Sequence, residues 1–296
     1  MKIIVTGSLG HISQPLTEEL LQKGNTVTVI SSNVEKQKDI EALGAIAAIG
    51  SLEDVGFLTA TFSGADAAYC MIPPANYFDH TIDLPAYTRR LAHNYAAAIE
   101  QSGVKRVVFL SSIGAHLAEG NGIIGEYHEV ESILNKISDA AVTYMRPTSF
   151  YYNLLGYLGM VKQGFIAANY GEEKIIWVSP KDIAAAIADE IVISLTGRKV
   201  RYVSSDERTG KETAAVLGDA IGKPDLKWTI VSDQESQSGL EAAGMQPGIA
   251  AGLVEMYASI RSGRFWKDYQ LHKPATMGKV KLEDFAKEFA AAYNSK

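Results

Sequence analysis

Within its first dozen residues the chain passes from a short apolar run through a loop bracketed by glycines into a helix. Lys2-Ile3-Ile4-Val5-Thr6 is a β-forming run, Gly7-Ser8-Leu9-Gly10-His11-Ile12-Ser13 follows, and residues 14–23 carry amphipathic helical spacing. A buried strand that turns directly into a helix aims backbone N–H groups and the positive end of the helix dipole at one point, which suits a pyrophosphate. In this reading Gly7 permits the tight turn and Gly10 the close approach of the ligand, with Ser8, Leu9, His11 and Ile12 completing the loop. Ser13 stands where a third glycine would let helix and strand pack closely.

The pattern then repeats. Strands are predicted over residues 26–30, 45–49, 67–72, 106–110 and 141–146, separated by helices over 34–43, 52–62, 84–101 and 123–137. Strands that alternate with helices and read as continuous apolar runs imply an α/β fold, a doubly wound parallel sheet covered on both faces. Ligands of such sheets bind at the C-terminal strand ends, so Gly7, Ser31, Gly50, Ile72 and Ser111 share one rim. After residue 148 the rhythm changes to a stretch rich in Tyr, Phe, Asn and Gly. Residues 1–150, with 175–203, are expected to form the dinucleotide-binding domain; 151–174 and 204–296 form a smaller, interleaved α+β lobe. Pro180 and Asp182 open a helix. A strand is expected over 199–203 and helices over 209–221 and 245–262, and Leu282, Phe285, Phe289 and Tyr293 mark the packed face of a last helix.

Composition excludes several classes. With a net charge of −6 and no basic cluster denser than Lys279-Val280-Lys281 or Arg89-Arg90, nucleic acid is not an expected partner. Cys70 is the single cysteine and lies in an apolar run, which predicts a buried, inert thiol and a reducing, cytoplasmic setting. No run approaches the length of a membrane span, and the N-terminal residues begin a strand instead of an export signal. His80, His93, His116 and His272 have no metal-ligand spacing, and no metal is expected.

The landmarks in order resemble the NmrA-like family of atypical short-chain dehydrogenases/reductases. Val5-Thr6-Gly7-Ser8-Leu9-Gly10-His11-Ile12 resembles the family's opening V-T-G-A-T-G-x-x-G, and Gly50-Ser51-Leu52-Glu53-Asp54 its G-D-L-x-D. Gly64-Ala65-Asp66-Ala67, residues 102–108, Thr143-Tyr144-Met145-Arg146-Pro147, Asn153 and Lys181-Asp182-Ile183-Ala184 continue the likeness over about residues 1–220. The resemblance implies a Rossmann fold that binds NAD(P), in a family of quinone and aromatic-substrate reductases and of redox sensors without turnover. It carries cofactor contacts to Ser51, Leu52, Met71, Ile72, Pro73, Ser111, Pro147, Thr148 and Phe150. At the end of the second strand stand Ser31, Ser32 and Asn33, where an acidic residue would hold the ribose of NAD. With Lys36 and Lys38 close by, these residues favour NADP(H) over NAD(H).

The catalytic Tyr and Lys of such enzymes, four residues apart, are missing. Tyr127 is followed four residues later by Glu131, a carboxylate expected to raise the phenol's pKa. Counting back from Arg146-Pro147, the Lys position falls on His128 and the Tyr position on Ile124. His128 can move a proton near neutrality, or hydrogen-bond a nicotinamide ribose hydroxyl in the lysine's place. Ser112 is placed to polarise a carbonyl, and Tyr151, Tyr152 and Tyr170 to wall an aromatic substrate. The expected function is hydride transfer from NAD(P)H to a small carbonyl, enone or quinone-like compound. A different reading is a redox sensor acting through a protein partner, for which Phe265-Trp266 and Met256-Tyr257 would form an exposed apolar patch. A homodimer is compatible with both, and a nucleotide-sugar epimerase is disfavoured by the missing Tyr–Lys pair.

Overall fold

The computed structural model describes residues 1–295. The first half alternates strictly: β1 (Lys2–Val5), α1 (Ser13–Gln22), β2 (Thr26–Ser31), α2 (Gln37–Ala42), β3 (Ile46–Ile49), α3 (Val55–Phe62), β4 (Ala67–Cys70), α4 (Leu84–Ser102), β5 (Arg106–Leu110), α5 (Gly125–Leu134) and β6 (Ala141–Pro147). There follow β7 (Ser149–Phe150), α6 (Leu158–Lys162), β8 (Phe165–Ala168), β9 (Ile175–Val178), α7 (Pro180–Ile191), β10 (Arg198–Val203), β11 (Asp206–Arg208), α8 (Gly210–Ala220), β12 (Lys227–Ile230), α9 (Asp233–Ala242), α10 (Pro247–Arg261), α11 (Trp266–His272) and α12 (Leu282–Asn294).

Seven strands form one parallel sheet in the order β10-β6-β5-β4-β1-β2-β3. The chain winds outward from β1 to β3 and returns to β4 on the other side, so the topological switch lies between β1 and β4. Strands β4, β5 and β6 are buried along their whole length, which explains their unbroken apolar runs. Side chains alternate between two apolar layers. Ile3, Val5, Tyr69 and Val108 pack with α1 and α7, while Ile4, Ala68, Cys70 and Phe109 pack with α3, α4 and α5. Cys70 is fully buried, and burial pushes its thiol pKa up, so it has little thiolate character.

The smaller part carries a three-stranded sheet, β11-β9-β7, and the parallel pair β8–β12. Its core gathers Tyr151, Trp177, Phe265, Tyr269, Leu282, Phe285 and Phe289. Between residues 175 and 203, α7 and β10 serve the large sheet while β9 pairs in the small one. The expected stripe on the last helix is present: Leu282, Phe285 and Phe289 are buried, and Tyr293 packs beside them under Lys223. Asp182 does more than complement the α7 dipole. Its carboxylate accepts from Ser205 Oγ at 2.6 Å and from the Lys279 and Val280 amides at 3.0 and 3.1 Å, tying a distant loop to α7.

Some elements differ from the sequence reading. The helix expected from residue 52 begins at Val55, because Asp54 Oδ1 caps the Phe57 amide at 3.0 Å. Strands β8 and β12 were not expected; they are short, and each depends on a partner about 60 residues away. Helix α9 was also missed, although Ser232 and Glu235 form a reciprocal capping box at its start.

Glu190 of α7, 1% exposed, fastens the helix to the sheet. It accepts from Arg106 Nη2 at 3.1 Å, Thr143 Oγ1 at 3.0 Å, Lys199 Nζ at 2.9 Å and Arg201 Nη1 at 3.2 Å. Burial alone would raise its pKa, but the hydrogen bonds from Lys199 and Thr143 and the Lys199 charge hold it below the usual carboxylate value. A carboxylate depressed by folding stabilises above its unfolded pKa and ceases to do so as pH falls through the folded one. Glu190→Gln should therefore cost about 2 kcal/mol near neutrality, and the gap to wild type should narrow below about pH 4. Urea unfolding at both pH values measures it; a gap that widens in acid would contradict the assignment.

Candidate functional site

The loop after β1 is held open by local geometry. Gly7 has φ +89°, and a Cβ there would lie 2.6 Å from Ser13 Oγ and 3.1 Å from Met71 Sδ. Ser8 follows in the left-handed region at φ +55°. Ser13 Oγ donates to the Thr6 carbonyl at 2.8 Å, so its hydroxyl joins helix and strand where a third glycine would merely leave room. Thr6, which the sequence reading passed over, knits the switch point: its amide donates to Tyr69 O at 3.1 Å and its Oγ1 accepts from the Met71 amide at 3.0 Å. Helix α1 begins after Ile12 with no side-chain cap; the Gln14 amide donates to the Gly10 carbonyl and the Leu16 amide to the Ile12 carbonyl, both at 3.0 Å, and Pro15 has no N–H, so the Ser13 amide is the first-turn donor left for a ligand. A Cβ on Gly10 would approach the Gly7 carbonyl to 3.1 Å. These features fit the pyrophosphate of a dinucleotide.

At the end of β2, Ser8 Oγ donates to Ser31 Oγ at 2.9 Å, and the Asn33 amide donates to the same hydroxyl at 3.2 Å. Asn33 Oδ1 accepts from the Glu35 amide at 2.9 Å. Ser32 and Lys36 are exposed, and Lys36 pairs with Asp39 at 3.2 Å. Lys38 has no ion-pair partner among the described residues. After β3, Ser51 is exposed with its Oγ accepting from the Glu53 amide, while half-buried Leu52 gives its carbonyl to Asn94. After β4, Met71 lies against Gly7 and its carbonyl accepts from Tyr95 at 2.8 Å; Ile72 is buried, and Pro73 accepts from Tyr87 through its carbonyl.

The β5 and β6 ends bring the catalytic candidates together unevenly. Ser111 is buried and donates to Glu131 Oε1 at 2.5 Å, so its hydroxyl is committed away from the groove. Ser112 beside it is half-buried. His128 Nδ1 lies 2.9 Å from the Ala115 carbonyl; a carbonyl can only accept, so Nδ1 carries the proton and neutral His128 presents Nε2 as an acceptor. Burial raises the Tyr127 phenol, with smaller contributions from Tyr77, Tyr152 and Glu126. The sequence reading gave that effect to Glu131, which instead binds Arg146 through two hydrogen bonds, at 2.6 and 2.9 Å. Pro147 is buried, as is Thr148, whose Oγ1 has no hydrogen-bond partner.

The aromatic wall is smaller than expected. Tyr152 stacks on His11, with centroids 4.8 Å apart, and on Phe150 at 5.0 Å, directly beside the phosphate loop. Tyr151 is instead fully buried in the lobe core against Phe285, and Tyr170 is 4% exposed against Tyr257. The patch proposed for a protein partner is not a free surface. Phe265 is 1% exposed, and Trp266, Met256 and Tyr257 pack against the lobe core. Glu126, at the start of α5, is a half-buried carboxyl that the sequence reading did not single out; burial pushes it up to about 7. Its neighbours Thr88 and Tyr77 come from other segments, and no motif marks it.

No helix among the described residues is long and apolar enough to cross a membrane. Residues 7–191 match a family model described as NAD(P)H-binding. The chain is 25% identical over 301 residues to an NAD(P)H azoreductase from Xenophilus azovorans, covering 99% of each protein. Its fold matches a triphenylmethane reductase from Citrobacter sp. with a TM-score of 0.80 at 20% identity, over 98% of this chain and 100% of that one. An NADPH complex of an NADPH-dependent quinone oxidoreductase from Escherichia coli matches with a TM-score of 0.79 at 21% identity, over 97% and 99%. The glycine cradle at the β1–β4 switch and the match spanning most of the sheet together place this chain in the NAD(P)H-binding Rossmann family, among the NmrA-like atypical short-chain dehydrogenases/reductases.

Proposed function

We propose that the protein is an NADPH-dependent reductase of small aromatic or conjugated acceptors, quinone-like, enone or carbonyl. The observation that carries this reading is the His11–Tyr152–Phe150 stack, an aromatic face set against the phosphate loop. When bound, the reduced dinucleotide supplies hydride. The loop amides and the first turn of α1 hold the pyrophosphate, and His128 Nε2 accepts a hydrogen bond from a nicotinamide ribose hydroxyl. Ser112 donates to the acceptor's oxygen, and Tyr152 and Phe150 offer a flat apolar wall. Tyr127, with its phenol held protonated, can donate a hydrogen bond but is a poor base. NADPH is preferred to NADH because hydroxyl and amide groups stand at the end of β2 and Lys38 is free to meet a 2′-phosphate.

Fluorescence titration with NADPH and NADH, followed by a panel of quinones and enones, tests the proposal. Tighter binding of NADPH and its oxidation by members of the panel are expected. Tight binding with no oxidation of any acceptor would favour the sensor reading instead. His128→Ala should weaken NADPH by about fivefold, the loss of one hydrogen bond of about 1 kcal/mol. Unchanged affinity and turnover would remove His128 from the site.

A further inference from the structure

Between β5 and α5 the chain runs through residues 111–124, a segment that carries Ser112 and supplies the carbonyl against which His128 rests. It leaves β5 still joined to the sheet, with the Ser111 amide on the Met145 carbonyl at 2.8 Å and the Ile113 amide on the Pro147 carbonyl at 3.0 Å. Two overlapping turns follow. The Ala115 amide donates to the Ser112 carbonyl at 3.2 Å, and the Leu117 amide to the Gly114 carbonyl at 3.0 Å. Gly114 enters the second turn at φ +85°, packed so closely that a Cβ would lie 2.8 Å from the Phe265 ring. Ala115 is the second residue of that turn, so the direction of its carbonyl depends on where the turn's two ends are held.

Asn121 holds both ends. Its side-chain Nδ2 donates to the Leu117 carbonyl at 2.7 Å and to the Gly114 carbonyl at 3.2 Å, and the residue is only 2% exposed. An amide NH2 has two donors, and both are spent on this turn. The backbone around Asn121 is fixed as well. Its carbonyl accepts from the Ile124 amide at 3.1 Å, at the entry to α5, and Ser259 Oγ of α10 donates to the neighbouring Gly120 carbonyl. Gly122 lies so close to α10 that a Cβ would overlap the Gly252 carbonyl. The clamped turn is the one whose Ala115 carbonyl meets His128 Nδ1 at 2.9 Å.

We infer that Asn121 is a positioning residue for His128, an assignment that rests on the cofactor role given to His128 above. It acts through the imidazole and not on the cofactor. By fixing the turn it holds the Ala115 carbonyl against Nδ1, which keeps the ring proton on that nitrogen and leaves the Nε2 lone pair for the ribose hydroxyl. Without the clamp the Gly114 and Leu117 carbonyls lose their side-chain donor and the turn relaxes. The ring proton can then settle on Nε2, which no longer accepts. The turn that carries Ser112 shares Gly114 and Ala115 with the clamped one, so the same side chain also steadies Ser112.

Imidazole 15N NMR at about pH 8, where an ordinary histidine is neutral, tests the assignment, with the His128 signals identified by their loss in His128→Ala. In the wild type Nδ1 should be protonated and Nε2 bare. Asn121→Ala should move the ring toward the form protonated on Nε2 and weaken NADPH by about fivefold, as His128→Ala does. The double variant Asn121→Ala/His128→Ala should bind NADPH no more weakly than His128→Ala alone, because the first change acts only through the second residue. Asn121→Ser, whose hydroxyl can serve one of the two carbonyls, should give an intermediate spectrum and affinity, and carries the same test if Asn121→Ala does not fold. Equal losses of affinity in the two backgrounds, an unchanged His128 spectrum in either Asn121 variant, or a wild-type His128 with its proton on Nε2 would overturn the assignment while leaving the reductase reading intact. Wild-type affinity and turnover in His128→Ala would overturn both the His128 role and this one.

Discussion

Gly7→Val should abolish NADPH binding, raising Kd at least about 100-fold, or roughly 2.7 kcal/mol, and should lower the unfolding free energy as well. The physical cause differs from simple occlusion of the ligand. The new Cβ would lie 2.6 Å from Ser13 Oγ and 3.1 Å from Met71 Sδ, so it would collide with the clamp that fixes α1 on β1. The backbone at φ +89° also disfavours any L side chain. Backbone strain and overpacking together should cost about 3 kcal/mol. Gly10→Ala separates the two effects. Its Cβ would meet only the Gly7 carbonyl at 3.1 Å, and its backbone is not left-handed, so the fold should keep its stability within about 1 kcal/mol. Urea unfolding and fluorescence titration of both variants measure this. Retention of wild-type NADPH affinity by Gly7→Val would remove the phosphate cradle from the account.

Arg146→Met should be the costliest change away from the phosphate loop, at about 4 kcal/mol. The guanidinium is buried, with a side chain only 7% exposed, and donates to Glu131 at 2.6 and 2.9 Å, to Asp268 Oδ2 at 3.1 Å and to Tyr202 at 3.3 Å. Tyr202 also hydrogen-bonds Asp268, and Ser111 donates to Glu131, so the network joins the ends of β5 and β6 to α5, β10 and α11. Removing the cation leaves Glu131 as a buried carboxylate without its ion-pair partner. The double variant Arg146→Met/Glu131→Met should recover part of the loss, because no unpaired Glu131 charge then remains. Glu131 lies one helical turn after His128, so Arg146→Met should also weaken NADPH by disturbing α5. A loss below about 1 kcal/mol in the single variant would show that the network contributes little beyond its apolar contacts.

Much of the fold was legible because it is encoded locally. Strand and helix periods, Gly7 and Gly10, Pro180 behind Ser179, and the Leu282–Phe285–Phe289 stripe depend on neighbours a few residues away. The phosphate loop was readable for the same reason, and Ser13, the apparent departure, proved a different way to close the same turn. Strands β8 and β12 were not readable, since each is four residues long and stabilised by a distant partner.

The sequence by itself determined the doubly wound sheet, the cradle for a dinucleotide and the absence of a Tyr–Lys pair four residues apart on α5. Tertiary structure decided which polar side chains face the groove and which are consumed by the core. Ser111 and Ser112 are adjacent, yet one is bound to Glu131 and the other is half-buried at the rim; Tyr151 is lobe core while Tyr152 stacks over the phosphate loop. Glu126 has no sequence signature because its raised pKa comes from burial, helped by Asp83 and Glu129 and opposed by the Thr88 hydrogen bond, all set by tertiary contacts. Helical and strand periods are properties of short segments, whereas desolvation and charge pairing depend on which distant segments arrive at the same place.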